Sequence, residues 1–208
     1  MVAIVDYGVG NLFSLECSLN AIGAEVVVTA DPDVLKKANQ VLLPGVGAFE
    51  DAAKKLRNTG LDKVIKELAA SGKPLLGICL GMQMLFEKSY EYGEHAGLGL
   101  IPGSVVSMDG VVPADYKIPH IGWNALRFKK DCPLFANIKD GDCVYFVHSY
   151  YATGCDAYVT ATAEYGPELT AAVSNKNVFG CQFHPEKSGS VGLAILKAFT
   201  QLKEEDLC

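Results

Sequence analysis

Gly72-Lys73-Pro74-Leu75-Leu76-Gly77-Ile78-Cys79-Leu80-Gly81-Met82-Gln83 is the stretch on which the fold and chemistry of this 208-residue chain turn. Gly72-Lys73-Pro74 is a turn signal, and Leu75, Leu76 and Ile78 make a short apolar strand. Met82, Leu85 and Phe86 predict an amphipathic helix after it. Between strand and helix stands Cys79, flanked by Gly77 and Gly81. Gly-x-Cys-x-Gly at a strand-to-helix junction is the sulfur form of a nucleophile elbow, a turn so tight that the flanking residues must lack side chains. The N-terminus of the helix carries partial positive charge and favours thiolate over thiol. The amide of Leu80 is then left to face a developing oxyanion. A buried structural cysteine is the alternative reading of this stretch by itself, so the choice rests on partners elsewhere in the chain.

N-terminal to the elbow the pattern alternates. Val2 to Val5 is a continuous apolar run, as in a strand buried on both faces. It ends in Asp6-Tyr7-Gly8-Val9-Gly10-Asn11, and Asn11 is placed to cap a helix with Leu12, Leu15, Leu19 and Ile22 on one face and Gly23 as its stop. Gly8-x-Gly10 is only part of a dinucleotide turn, because Phe13 stands where the third glycine belongs. A docking or ligand loop fits better, with a plain tight turn as the alternative. Glu25 to Thr29 is a second strand, and Asp31 caps a short helix that has Pro32 at its first position. Val41 to Leu43 is a third strand, opening into Pro44-Gly45-Val46-Gly47. Glycines at the carboxyl end of a strand let backbone amides approach a ligand closely. Helical patterns follow over Phe49 to Leu56 and Leu61 to Ala70. Strands alternating with helices require a parallel sheet, with ligand groups at its carboxyl edge.

C-terminal to the elbow, Gly97 to Met108, Gly122 to Phe128 and Cys143 to Val147 read as short strands between Gly and Pro turns. Tyr158 to Glu164, Thr170 to Ser174 and Val178 to Phe183 alternate like an antiparallel meander, and Val191 to Leu202 is an amphipathic helix. The expected fold is α/β, a mostly parallel central sheet flanked by helices with an added antiparallel region. No linker or repeat interrupts it, so residues 1–208 are expected to be a single domain.

The bulk properties narrow the function. The chain is 50% hydrophobic and 20% charged, enough to bury a large core. A net charge of −6 argues against a nucleic-acid grip. No apolar run is long enough to cross a membrane, and the first residues read as a strand with no basic leader. The 7 cysteines are odd in number and none is spaced C-x-x-C, which suggests reduced thiols in a cytoplasm, without disulfides or zinc.

The partners of Cys79 come from Gln182-Phe183-His184-Pro185-Glu186-Lys187-Ser188. Pro185 pushes His184 into extended backbone. Residues two apart then share a face, so His184 and Glu186 are expected to point the same way, as a base and its orienter. His95 lies in a polar stretch and is expected to be solvated. His120 and His148 are expected to shape the site or simply be hydrogen-bonded, and not to act as the base.

GICLGMQ around Cys79, PGVG at 44–47 and HPE at 184–186 resemble the triad-type, class I glutamine amidotransferases. DYGVGNL at 6–12, KIPHIGWN at 117–124, YFVHSYY at 145–151 and FHPEKSG at 183–189 are similar to the glutaminase subunits of imidazole glycerol phosphate synthases. The resemblance implies a three-layer, flavodoxin-like fold and hydrolysis of L-glutamine to glutamate and ammonia through a γ-glutamyl thioester. Cys79 would be the nucleophile, His184 the general base and acid, and Glu186 its orienter. Gly45, Val46 and Gly47, with Leu80, resemble the oxyanion segment. Gln83 resembles a residue that holds the glutamine, and Ser149 and Tyr150 resemble the pair that meets its α-amino and α-carboxylate ends. Asn11, Trp123, Tyr145 and Lys187 resemble residues facing a cyclase subunit, a (β/α)₈ barrel that receives the ammonia. No metal and no organic cofactor is implied, and the acidic tail Lys203 to Cys208 is assigned no role.

Rival readings remain. A glutaminase subunit of another synthase would share the Cys-His-Glu set, but the YGVGN and PHIGWN segments speak against it. A non-catalytic binding protein of the same fold would be marked by loss of Cys79, His184 or Glu186, and all three are present. A cysteine peptidase or esterase is disfavoured by Gln83 and the His-Pro-Glu spacing.

Overall fold

A computed structural model describes residues 1–203. Most of the acidic tail, with Cys208, lies outside the described residues. In chain order the elements are β1 (Val2–Val5), α1 (Leu12–Ala21), β2 (Val26–Thr29), α2 (Pro32–Lys37), β3 (Gln40–Leu43), α3 (Phe49–Asn58), α4 (Leu61–Ala70), β4 (Leu75–Ile78) and α5 (Leu80–Met84). Then come β5 (Phe86–Ser89), β6 (His95–Ala96), β7 (Ile101–Ser107), β8 (His120–Ala125), β9 (Arg127–Phe128), β10 (Cys143–His148) and β11 (Tyr150–Thr153). The chain continues with β12 (Val159–Glu164), β13 (Glu168–Asn175), β14 (Val178–Cys181) and α6 (Gly189–Thr200).

The main sheet has the order β2-β1-β3-β4-β14-β13-β12-β9. Strands from β2 to β14 pair in parallel, and from β14 outward the pairing turns antiparallel. β14 therefore belongs to both halves. It delivers the C-terminal end of the meander next to β4, on the same carboxyl edge as Cys79. Strand alternation sorts the core into two layers. Ala3, Val5, Val41, Leu43 and Leu75 face α2, α3 and α4, whereas Val2, Ile4, Leu42, Leu76 and Ile78 face α1 and α6. Leu15 and Leu19 of α1 and Ile195, Leu196 and Phe199 of α6 fill the second layer. Each such side chain, fully buried, contributes about 1.5–3 kcal/mol. The expected three-layer α/β arrangement and its antiparallel addition are both present.

Two smaller sheets stand beside this frame, a β10-β8 ribbon and a four-stranded β11-β7-β5-β6 sheet. On the ribbon the register sets His148 opposite His120 and Tyr145 opposite Trp123. Burial alternates along β10, with Val144, Phe146 and His148 inward.

Several local expectations are corrected. The helix after Cys79 is neither long nor amphipathic: α5 is five residues, all buried, and Phe86 opens a strand. Phe86 pairs with Ile101 of β7, a tertiary contact that the helical spacing cannot reveal. Asn11 occupies the N-cap position of α1, but its side chain makes no capping hydrogen bond because its backbone (φ −86°, ψ 64°) is not extended. Asp31 does cap α2, accepting from the Asp33 amide at 2.8 Å. His95 is not solvated. It lies on β6, its side chain is mostly buried, and its Nε2 has no hydrogen-bond partner, because β6 carries it against α3.

Candidate active site

Cys79 sits at the end of β4 with φ 55° and ψ −112°, a conformation that costs a non-glycine residue about 1–3 kcal/mol. The cost is met by crowding that leaves no alternative path. A Cβ on Gly81 would stand 1.9 Å from the Leu43 carbonyl oxygen, and one on Gly77 would stand 2.6 Å from the Gly81 oxygen. A Cβ on Gly45 would meet the Gly81 nitrogen at 2.7 Å, so the Pro44–Gly47 loop lies directly on the elbow. The requirement for side-chain-free neighbours is thus met on both sides of Cys79. Leu80 opens α5, so its amide has no acceptor within the helix.

The Pro44–Gly47 loop is tied at both ends. The Tyr7 hydroxyl donates to the Pro44 carbonyl at 2.7 Å, and the Phe49 amide donates to Glu91 Oε2 at 2.6 Å. Burial, with the nearby Cys79 charge, raises the Tyr7 hydroxyl above its usual range and keeps it a neutral donor. Gly47 has φ 90°, open to glycine, and Val46 is exposed toward the cleft.

His184 leaves β14 in extended backbone, as Pro185 requires. Glu186 does not reach it by strand alternation. Pro185–Lys187 is a turn of 3-10 helix, and this turn folds the carboxylate back so that His184 Nδ1 donates to Glu186 Oε1 at 2.7 Å. Both side chains are almost wholly buried. The segment is clipped to β10 at one residue: the His184 amide donates to the Tyr145 carbonyl, the Tyr145 amide donates to Ser188 Oγ, and Ser188 Oγ donates to the His184 carbonyl. With Nδ1 engaged, Nε2 is the nitrogen left for the Cys79 sulfur. Burial alone would lower the His184 pKa. The hydrogen bonds to Cys79 and Glu186 outweigh it and raise the pKa to about 9. Glu186 Oε2 has no hydrogen-bond partner, so the imidazolium is the main compensation for this buried charge. An imidazole that holds its proton at pH 7, hydrogen-bonded to a cysteine sulfur, is an arrangement able to protonate a leaving amine as the sulfur attacks a carbonyl.

The other two buried histidines are wired differently. His148 Nδ1 lies 2.8 Å from the Tyr150 carbonyl, which can only accept, so Nδ1 carries the proton. His148 Nε2 therefore accepts from His120 Nδ1 at 3.1 Å. His120 Nε2 then faces the Asn124 amide at 3.4 Å, and its ring is stacked between Phe146 and Tyr165. Burial lowers both pKa values to about 4. Both rings are neutral at pH 7 and hydrogen-bonded; His148 lines the cleft and His120 stands behind it.

A cleft of about 510 Å³ opens over this edge, and it is lined by Val46, Gly47, Cys79, Leu80, Gln83, Ser149, Tyr150, His184 and Lys187 among others. Gly45 lies behind the lining, packed on the elbow. Trp123 is 57% exposed and edge-on to Tyr145, and the Lys187 ammonium lies 5.9 Å from the centre of the Tyr145 ring. Asn11 is partly exposed at the start of α1. The sequence reading missed three residues of this region. Glu91 and Tyr92 line the cleft from the β5–β6 turn, Tyr92 being 89% exposed. Gln182 is fully buried beside Cys79. A polar residue closing an otherwise apolar buried strand was the available signal for Gln182. Nothing local marks Glu91.

Comparison with known proteins agrees with this geometry. Residues 3–201 match the glutamine amidotransferase class-I family. The chain is 50% identical over 203 residues to the imidazole glycerol phosphate synthase subunit HisH of Caldanaerobacter subterraneus subsp. tengcongensis, covering 97% of this chain and 98% of that one. It is 49% identical over 204 residues to HisH of Bacillus cereus, covering 98% and 96%. In fold it is similar to PurLQS from Thermotoga maritima, with a TM-score of 0.75 at 22% identity over 95% of this chain and 96% of that chain. With its elbow, its Cys-His-Glu edge and this full-length likeness, the chain belongs to the class-I glutamine amidotransferase family.

Proposed function

We propose that this chain is the glutaminase subunit of an imidazole glycerol phosphate synthase, acting as one functional unit along its length. It releases ammonia from L-glutamine and hands it to a synthase subunit. The observation that carries the chemistry is the buried Cys79–His184–Glu186 set, of which Cys79 and His184 line a cleft. Cys79 attacks the side-chain amide carbon, and the negative charge that develops on the oxygen is met by amides of Leu80 and the Gly45–Val46–Gly47 loop. The His184 imidazolium gives its proton to the leaving ammonia. It then takes one from the water that opens the thioester. Gln83, Ser149 and Tyr150 seat the glutamine, and Glu91 is the acidic group of the lining suited to its α-ammonium.

The synthase reading is supported by the near full-length likeness to HisH proteins, which are subunits of imidazole glycerol phosphate synthases. The partner is a cyclase barrel docked on the rim made by Asn11, Trp123, Tyr145 and Lys187. Exposed Ile121 and Trp123 stand two apart on β8, giving that rim the apolar and aromatic character of a specific interface. No organic cofactor enters the scheme. The decisive experiment pairs the Cys79→Ala chain with a cyclase subunit. The complex is expected to form product from ammonium salt at elevated pH and none from glutamine. Failure with ammonium, or failure of the subunits to bind, overturns the synthase assignment and leaves glutamine hydrolysis.

A further inference from the structure

We propose that Gln182 is a further residue of the nucleophile site, an amide donor held toward the Cys79 sulfur by a relay that begins at the Tyr150 carbonyl. This rests on Cys79 being the nucleophile. The relay fixes its own polarity. The Tyr150 carbonyl only accepts, so Gln83 must turn its amide nitrogen to it, at 3.2 Å. The second hydrogen of that nitrogen goes to Gln182 Oε1 at 3.0 Å. Gln182 must therefore present its own nitrogen on the other side, where Nε2 stands 3.8 Å from Cys79 Sγ. The same Tyr150 carbonyl also accepts from His148 Nδ1, so both of its lone pairs are occupied and it is fixed from two directions.

The backbone holds both ends of the contact. The Cys79 amide donates to the Cys181 carbonyl and the Gln182 amide donates to the Ala171 carbonyl, each at 2.8 Å. Gln182 has no exposed surface, so water does not compete for its amide. A buried amide needs partners, and a donor facing sulfur gains most when the sulfur is charged. Gln182 transfers no proton. As the carbon–sulfur bond forms, the sulfur lone pair is consumed and the charge moves to the carbonyl oxygen. As the thioester opens, the charge returns to sulfur and the amide meets it again. The relay also ties the thiolate to the strand that seats the substrate, since Ser149 and Tyr150 line the cleft.

The test uses Gln182→Met, which keeps length and burial but removes the donor. The rate of iodoacetamide alkylation at Cys79 is followed against pH, with the site located by mass spectrometry, alongside kcat and KM for glutamine. A lost hydrogen bond to a charged group should raise the alkylation midpoint by about one pH unit and lower kcat about tenfold, with KM changed less than kcat. A purely structural role would lower stability and leave the midpoint in place, and that result overturns the proposal. In the wild-type chain, the side-chain amide resonances of Gln182 should shift with the same midpoint and should not shift in Cys79→Ala. Indifference of those resonances to Cys79 overturns it even if the methionine variant does not fold. If wild-type Cys79 is not alkylated ahead of the other thiols, the nucleophile assignment itself falls. An unchanged midpoint in Gln182→Met with normal wild-type labelling sinks only the relay.

Discussion

At the end of β14 a buried histidine keeps its proton up to about pH 9, while on the β8–β10 ribbon two buried histidines stay neutral down to about pH 4. Burial opposes the charged form in both places. What differs is the partner. His184 faces a carboxylate and a thiol, whereas His148 faces a backbone carbonyl and another imidazole. A carbonyl fixes a tautomer without stabilising a charge enough to offset desolvation. At His184 the hydrogen bonds to Cys79 and to the Glu186 carboxylate together offset desolvation, and the carboxylate also fixes the tautomer. The parallel edge is therefore an electrostatic device, and the ribbon is a wall whose polar groups are satisfied while uncharged.

The largest test of that contrast removes one member of the Cys79–His184 pair. Cys79→Ala or Cys79→Ser is expected to lower glutamine turnover by at least ~10⁴-fold with an unchanged circular dichroism spectrum. A glutamine-analogue electrophile should label Cys79 in the wild-type chain. Burial holds the Cys181 and Cys155 thiols above their usual range and Cys132 at about 11, so labelling at any of them would break the assignment. His184→Ala should be comparably inactive, and Glu186→Gln should retain roughly a hundredfold more activity than His184→Ala, because an orienter is worth less than the base it orients. The reverse ranking would show that the two roles are exchanged.

Next in size is the elbow itself. Gly81→Ala drives a methyl into the Leu43 carbonyl and should destabilise the fold by about 4 kcal/mol or more, measured by denaturant unfolding. Tolerance of alanine there would mean that the strain at Cys79 is not enforced by its surroundings.

The titrations themselves sharpen the comparison. NMR of the ring protons should give His184 a midpoint near 9 and His120 and His148 midpoints near 4. In Cys79→Ala the His184 midpoint should fall, as one of its two hydrogen-bond partners is gone. The effects on stability have opposite signs. His184 is raised above its unfolded value of ~6.5, so its contribution is complete below that pH and is lost as pH rises through about 9. His120 and His148 are lowered, so their contribution is complete above ~6.5 and is lost as pH falls through about 4. Unfolding free energy measured against pH should therefore decline on both flanks. A flat alkaline limb would remove the ion pair from the account.

The smallest effect belongs to the exposed rim. Trp123→Ala should weaken partner binding by roughly tenfold or more while leaving Cys79 alkylation as it was, the mark of a docking residue. Equal losses in both would place the ring in the chemistry instead.

The sequence by itself determined the parallel half and pointed to Cys79, His184 and Glu186 as candidate reactive groups. Apolar runs of strand length, Asp31-Pro32 at a helix start and Gly-x-Cys-x-Gly at a strand end are local signals with local causes; the last singles out Cys79, and His184-Pro185-Glu186 singles out its partners. It failed where the cause is non-local. Leu85 and Phe86 have helical spacing, yet pairing with β7 makes Phe86 a strand residue. Glu186 reaches His184 through a 3-10 turn, where the sequence suggested extended alternation. Only the tertiary structure decided the polarity of the hydrogen-bond chains. The Tyr150 carbonyl, four residues of sequence beyond Phe146 and far from Gln83 and Gln182, fixes which way two glutamines and two histidines face. An amide or imidazole has no preferred polarity of its own. It takes the one that its buried neighbours leave, and those neighbours meet only when strands distant in sequence share one edge.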